Sequence, residues 1–124
     1  MLFPAQPITL VSRQKLALLR HLGVMLPDGR VAHCTPDRGE HISTIEEFAA
    51  GKDVKIERVI GPQQELSTLR RTAAAMAAPA AYNVATNNCE TFANRIVGQK
   101  AESPQFVGVL ILAAAVAVIL AAAS

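Results

Sequence analysis

One cysteine and two histidines in this chain are placed where a nucleophile and its bases would stand. Cys89 follows Asn87 and Asn88 and precedes a run whose apolar members, Phe92, Ala93, Ile96 and Val97, recur at helical spacing. Asparagine is a good N-cap, so the pattern predicts a helix that opens at Cys89 with the sulfur in its first turn. Free N–H groups and the positive end of the helix dipole favour an anion there, which draws a thiol below its free pKa of roughly 8.5 and makes it a nucleophile. The competing reading is a buried structural cysteine, the commoner fate of a lone thiol.

His21 and His33 flank a hairpin. Residues 22–26 and 30–34 are β-prone runs separated by Pro27-Asp28-Gly29, a sequence suited to a type I turn closed by a left-handed glycine. With that three-residue loop Leu26 pairs with Arg30 and Gly23 with His33, so His21 and His33 fall on one face, diagonally two residues apart. Gly23 leaves space above the strand for an imidazole or for a group approaching it. One histidine can then serve as general base toward a thiol while the other fixes its tautomer and stabilises its charged form. Taken singly, each is more commonly a surface or satisfied core histidine. Cys34 has the opposite parity and is expected to pack in the core, and His41, beside Glu40 in a polar loop, is expected to be solvated. A zinc site built from His21, His33 and Cys89 would have only three scattered ligands and no Cys-x-x-Cys pair, so no metal and no cofactor are expected.

The elements around these residues are mixed. Residues 8–11 read as a short strand and 13–20 as a basic, leucine-bearing connector, helix or loop. Ser43-Thr44-Ile45-Glu46 has capping-box spacing and opens a short helix through Phe48 that stops at Gly51. Residues 55–59 alternate as a half-buried strand does, Gly61-Pro62 ends it, and 64–78 is helix-prone up to Pro79. Strands and helices without regular alternation predict an α+β layer, a small antiparallel sheet packed on helices.

At 124 residues the chain fits one domain, and its 12 basic and 10 acidic residues leave a net charge of +2. There is no dense basic run, which argues against nucleic acid as a partner. Two cysteines are too few for a disulfide framework, and prolines and cations interrupt the first 20 residues, so no signal peptide is expected and the domain is read as facing a reducing cytosol. Residues 106–123 carry no charge and would span about 27 Å as a helix, enough to cross a bilayer. The expected division is a domain over 1–103 and a C-terminal single-pass transmembrane anchor over 104–124. A buried core helix is the alternative. Arg95 and Lys100, just before the segment, favour a cytoplasmic domain. Gly108 has no partner glycine at dimer-motif spacing.

The order of motifs resembles the lecithin retinol acyltransferase-like family, which includes the small phospholipase/acyltransferases. It rests on His21-Leu-Gly-Val-Met-Leu-Pro-Asp-Gly-Arg-Val-Ala-His33, Tyr82-Asn83, Asn87-Asn88-Cys89-Glu90-Thr91-Phe92 and the Ala-Glu-Ser-Pro-Gln run that ends at Gln105. The resemblance implies a circularly permuted papain-like NlpC/P60 fold, with Cys89 as nucleophile, His21 as general base and His33 as the third, orienting residue. It also implies an acyl donor that is a membrane phospholipid and an acceptor that is an amine, an alcohol, a lysolipid or water. Thr91 stands where many members carry another histidine, Leu22 where an aromatic residue is common, and the usual Gly-Asp strand before His21 is not recognisable.

Three classes of function follow from these residues. The first is a membrane-anchored thiol acyltransferase or phospholipase A working through an acyl-cysteine. The second keeps the same triad as an NlpC/P60-like amidase or peptidase. The third is a non-enzymatic membrane-inserting toxin or scaffold, in which Cys89 has no catalytic part.

Overall fold

The computed structural model describes residues 6–16, 18–99 and 105. Five strands and three helices follow one another as β1 (Thr9–Leu16), β2 (Leu19–Met25), β3 (Val31–Thr35), β4 (Gly39–Ser43), α1 (Ile45–Ala49), β5 (Val54–Val59), α2 (Pro62–Ala77) and α3 (Cys89–Ile96). The strands form one antiparallel sheet in the order β4-β3-β2-β1-β5. This is the expected α+β layer with a small antiparallel sheet.

The hairpin between the histidines has the expected register. Val24 lies opposite Ala32 and Met25 opposite Val31, and the turn is closed by Leu26 N–H donating to Arg30 O (2.8 Å) and Gly29 N–H to Leu26 O (2.9 Å). Gly29 sits at φ +86°, a conformation costly for any residue with a Cβ.

Alternation along these strands divides the core in two. Leu10, Val24, Ala32 and Cys34 face α3, whose Phe92, Ala93, Ile96 and Val97 bury against them. Each large side chain there contributes about 1.5–3 kcal/mol. Val11 and Val31 point to the other face, which Phe48 of α1 covers. Cys34 is fully buried and its thiol is pushed up to about 11 by desolvation first and by the nearby Glu40 charge next, as suits a packing residue.

Several expected elements are corrected. Residues 13–20 are no connector but the end of β1 and the start of β2, joined in a hairpin whose register shifts between Gln14 and Leu16. Pairing with β2 and β5 on both sides overrides the weak local preference of a leucine-bearing segment. His41 lies on β4, directly opposite His33, rather than in a solvated loop. The short helix is capped one residue later than expected, by Thr44, which accepts from Glu47 N–H at 3.1 Å. β5 is an edge strand, far more exposed than a half-buried strand would be. Helix α2 starts at Pro62, a residue well suited to the first helical position. Among the described residues no helix is long and apolar enough to cross a membrane; the expected span at 106–123 lies outside them.

Candidate active site

The two histidines meet. His21 on β2 and His33 on β3 are 5 % and 4 % exposed, and His21 Nε2 lies 2.9 Å from His33 Nδ1. His33 Nε2 in turn lies 2.8 Å from Ser43 Oγ at the end of β4. Ser43 donates its own hydrogen to Thr44 O at 3.0 Å, so its oxygen is left to accept, and His33 must donate through Nε2–H. His33 Nδ1 then has only a lone pair, and His21 must donate to it through Nε2–H. The one ring atom left with a free lone pair for an incoming proton is His21 Nδ1. A hydroxyl on β4 thereby sets the tautomer of an imidazole two strands away.

The rings are wedged by aromatic neighbours. Phe48 lies 5.3 Å from each ring centroid, and His41 lies 4.3 Å from His33. The open space above Gly23 is taken by Phe48 rather than by an imidazole, since a Cβ there would meet Val31 Cγ1 at 2.6 Å and Phe48 Cε2 at 2.7 Å. Burial, then the neighbouring His33, Arg13 and Lys15, lowers His21 to about 3. Burial and then His41 lower His33 to about 4. Both rings are therefore neutral at pH 7, which is the state a base requires.

Cys89 is the first residue of α3, as the sequence pattern predicted. Asn88 caps the helix, its Oδ1 accepting from Glu90 N–H and Thr91 N–H at 3.0 Å each. Thr91 closes the box, its Oγ1 accepting from Asn88 N–H at 2.9 Å. Cys89 is 3 % exposed and its sulfur lies 3.7 Å from Lys15 Nζ. Among the described residues no hydrogen bond joins it to either imidazole, and α3 packs on the sheet face opposite Phe48.

Two groups tie the halves together. The Lys15 ammonium that contacts the sulfur is also one of the charges that depress His21. Gln105 spans the residues next to both: its amide accepts from Arg20 N–H at 2.7 Å and donates to Arg20 O at 3.1 Å and to Glu90 Oε2 at 3.3 Å. Its backbone N–H adds a bond to Glu90 Oε1 at 3.1 Å. Arg20 precedes His21 and Glu90 follows Cys89, so Gln105 ties the backbone beside one to the carboxylate beside the other.

Four residues of this arrangement were given no part in the site by the sequence: Ser43, Lys15, Gln105 and Glu40. Glu40 is buried and accepts from Ala80 N–H (3.2 Å), Asn87 Nδ2 (2.9 Å) and Arg95 (2.6 Å), holding the segment that leads into Cys89. The signal for Ser43 and Glu40 was β4 itself, since a strand there puts Ser43 diagonal to His33. No group of three or more metal-ligating side chains is found among the described residues.

None of the curated proteins compared with the chain matches it. A family model does: residues 6–102, a span containing both histidines, Ser43 and Cys89, match lecithin retinol acyltransferase, and the chain belongs to that family.

Proposed function

We propose that the protein is a membrane-anchored, cysteine-dependent acyltransferase or phospholipase A acting on glycerophospholipids, with Cys89, His21 and His33 as its catalytic set. The observation that carries this reading is Gln105, whose amide bridges the neighbour of His21 to the neighbour of Cys89. Family membership supports acyl transfer as the class of reaction. The chain order, histidine strands before cysteine helix, agrees with a circularly permuted papain-like fold.

In this reading His21 Nδ1 takes the thiol proton, and Sγ attacks the ester carbonyl of the donor lipid. The ester C–O bond breaks, the lysolipid alcohol leaves with the proton from His21, and the acyl chain remains on sulfur as a thioester. An amine, alcohol, lysolipid or water then gives its proton to His21 and takes the acyl group, restoring the thiol. The backbone N–H of Cys89, free at the helix start, suits the oxyanion of either step. Residues 106–123 form the anchor and leave the domain on the cytoplasmic side.

The test is a mass-spectrometric search for a fatty acyl adduct after incubation with mixed phospholipids. An adduct on Cys89, absent from Cys89→Ser and from His21→Gln, is the expected result. Cys34 is an internal control, being fully buried with a thiol pushed up to about 11. An alkylatable Cys89 that never carries an acyl group would refute the reading.

A further inference from the structure

Lys15 is the residue of β1 that falls out of register with β2. Gln14 lies opposite Arg20 and Leu16 opposite Leu19, so Lys15 is the extra residue of a bulge. Strict alternation from Arg13, whose Nε donates to Phe48 O, would send it to the face that Phe48 covers. Its Nζ lies instead 3.7 Å from the sulfur of Cys89, on the helix that packs against the other face. A bulge re-aims the side chain it carries, and this one turns a lysine toward a nucleophile.

The other groups near the sulfur bring no positive charge to it. Cys34 and Tyr82 pack in the same core, and desolvation first, then charge on Cys89, pushes thiol and phenol up, so both are neutral at pH 7. Glu90, the next residue of α3, gives its carboxylate to Gln105. The imidazoles are neutral too, His21 at about 3 and His33 at about 4, so neither is the cation of a resting thiolate–imidazolium pair. Arg13 is bound to Phe48 O, and Arg20 to Ser12 and Glu57. Among the described residues the positive charge at the sulfur is therefore the Lys15 ammonium.

We infer that Lys15 is a fourth catalytic residue, the counter-ion of the Cys89 sulfur. The inference rests on the proposed acyl-cysteine chemistry and adds to it the group that carries the negative charge of the nucleophile. In the first half the thiol proton goes to His21, and the electron pair left on sulfur forms the bond to the ester carbonyl carbon. In the second half the C–S bond breaks and its pair returns to sulfur. Lys15 keeps its hydrogens throughout and acts by charge alone, stabilising the sulfur before attack and again as it leaves. The residue is exposed and only its tip reaches the sulfur, so solvent screens part of the field and the effect is about tenfold rather than several orders of magnitude.

Alkylation reads the ionised sulfur without any lipid, and Cys34, fully buried with its thiol pushed up to about 11, stays silent in the folded chain. Rates for neutral iodoacetamide and anionic iodoacetate would be measured on the full chain from about pH 5 to about pH 9. Lys15→Met keeps the stem and removes the charge. It should slow alkylation near pH 7 about tenfold, move the pH profile upward and slow iodoacetate more than iodoacetamide, while Lys15→Arg stays within about threefold of the parent. In the parent itself, added salt should slow iodoacetate more than iodoacetamide, a readout that needs no substitution. Equal rates in the parent and Lys15→Met overturn the inference. So does Lys15→Arg as slow as Lys15→Met, which marks a packing role, and so does fast alkylation that is lost in His21→Gln but kept in Lys15→Met, which makes the imidazole the counter-ion. Acyl adducts from mixed phospholipids separate this inference from the reading beneath it. A charge effect on alkylation with no adduct on Cys89 refutes the lipid chemistry alone, and an adduct that forms equally fast in Lys15→Met refutes the part given to Lys15 alone.

Discussion

Replacing Ser43 by alanine tests the tautomer argument at its far end. The hydroxyl accepts His33 Nε2–H at 2.8 Å inside the domain and passes its own hydrogen to Thr44 O. Without it, the buried Nε2–H loses its acceptor, at a cost of about 1–3 kcal/mol. The pair can avoid this by moving the His33 proton to Nδ1, but that proton then points at His21 Nε2, which must give up its own hydrogen and become protonated at Nδ1. The base is consumed in relieving the defect. Ser43→Ala should therefore lose about 1–2 kcal/mol of stability in urea denaturation and lower the rate of acyl-enzyme formation at least tenfold, about 1.4 kcal/mol of tautomer free energy. Ser43→Thr keeps the hydroxyl and should retain more of both. Nitrogen-15 NMR of the imidazoles reads the cause, with His21 protonated at Nε2 in the parent chain and at Nδ1 in Ser43→Ala. A parent spectrum with His21 protonated at Nδ1 refutes the reasoning, whatever the rates.

Three further outcomes follow from the same geometry. Gly23→Ala forces a methyl against Val31 and Phe48 at 2.6 and 2.7 Å, both packed on every side, and should cost about 1–3 kcal/mol as a lowered melting temperature; an unchanged melting temperature counts against the packing described. The histidine pair makes the fold acid-sensitive: the unfolded chain takes up protons below about pH 6.5, while the native rings stay neutral down to about 4 and about 3. Stability is then full above pH 6.5 and falls as pH drops toward 4, by about 3–5 kcal/mol between about pH 7.5 and about pH 4.5; urea midpoints across that range check it, and a flat profile would refute it. Glu40→Ala leaves Ala80 N–H and Asn87 Nδ2 without their buried acceptor and should cost about 2–4 kcal/mol, with faster hydrogen exchange in residues 80–88; Arg95, half exposed, adds little.

The hairpin and the cysteine helix were legible because each is encoded locally. Pro27-Asp28-Gly29 fixes a loop length, loop length fixes parity, and parity alone places His21 with His33. Asn88 and the apolar stripe of α3 likewise need nothing distant. What escaped was set by pairing. Gly39 to Ser43 contains two charged or titratable residues in five and looks like a loop, yet it becomes β4 because β3 needs an edge partner and Glu40 finds three donors from elsewhere in the chain. Ser43 reads as a helix cap by spacing, whereas tertiary contact gives the cap to Thr44 and frees the serine hydroxyl for His33. Residues 13–20 show the same override, and with them Lys15 and its approach to the sulfur were hidden.

The sheet sets the central geometric condition of the site. Its imidazoles stand among the residues packed by Phe48, and the helix that carries the sulfur covers the opposite face. The proposed base and nucleophile can therefore meet only around the end of the sheet, where β1 turns into β2. Every group that ties the halves lies at that end: Lys15 before the turn, Arg20 after it, Glu90 in the first turn of α3, and Gln105 bonded to the last two. His21 is the first residue beyond the clamped Arg20, and Cys89 the last before the clamped Glu90. The catalyst proposed above, assembled across a sheet edge, depends on the clamp as well as on its own side chains.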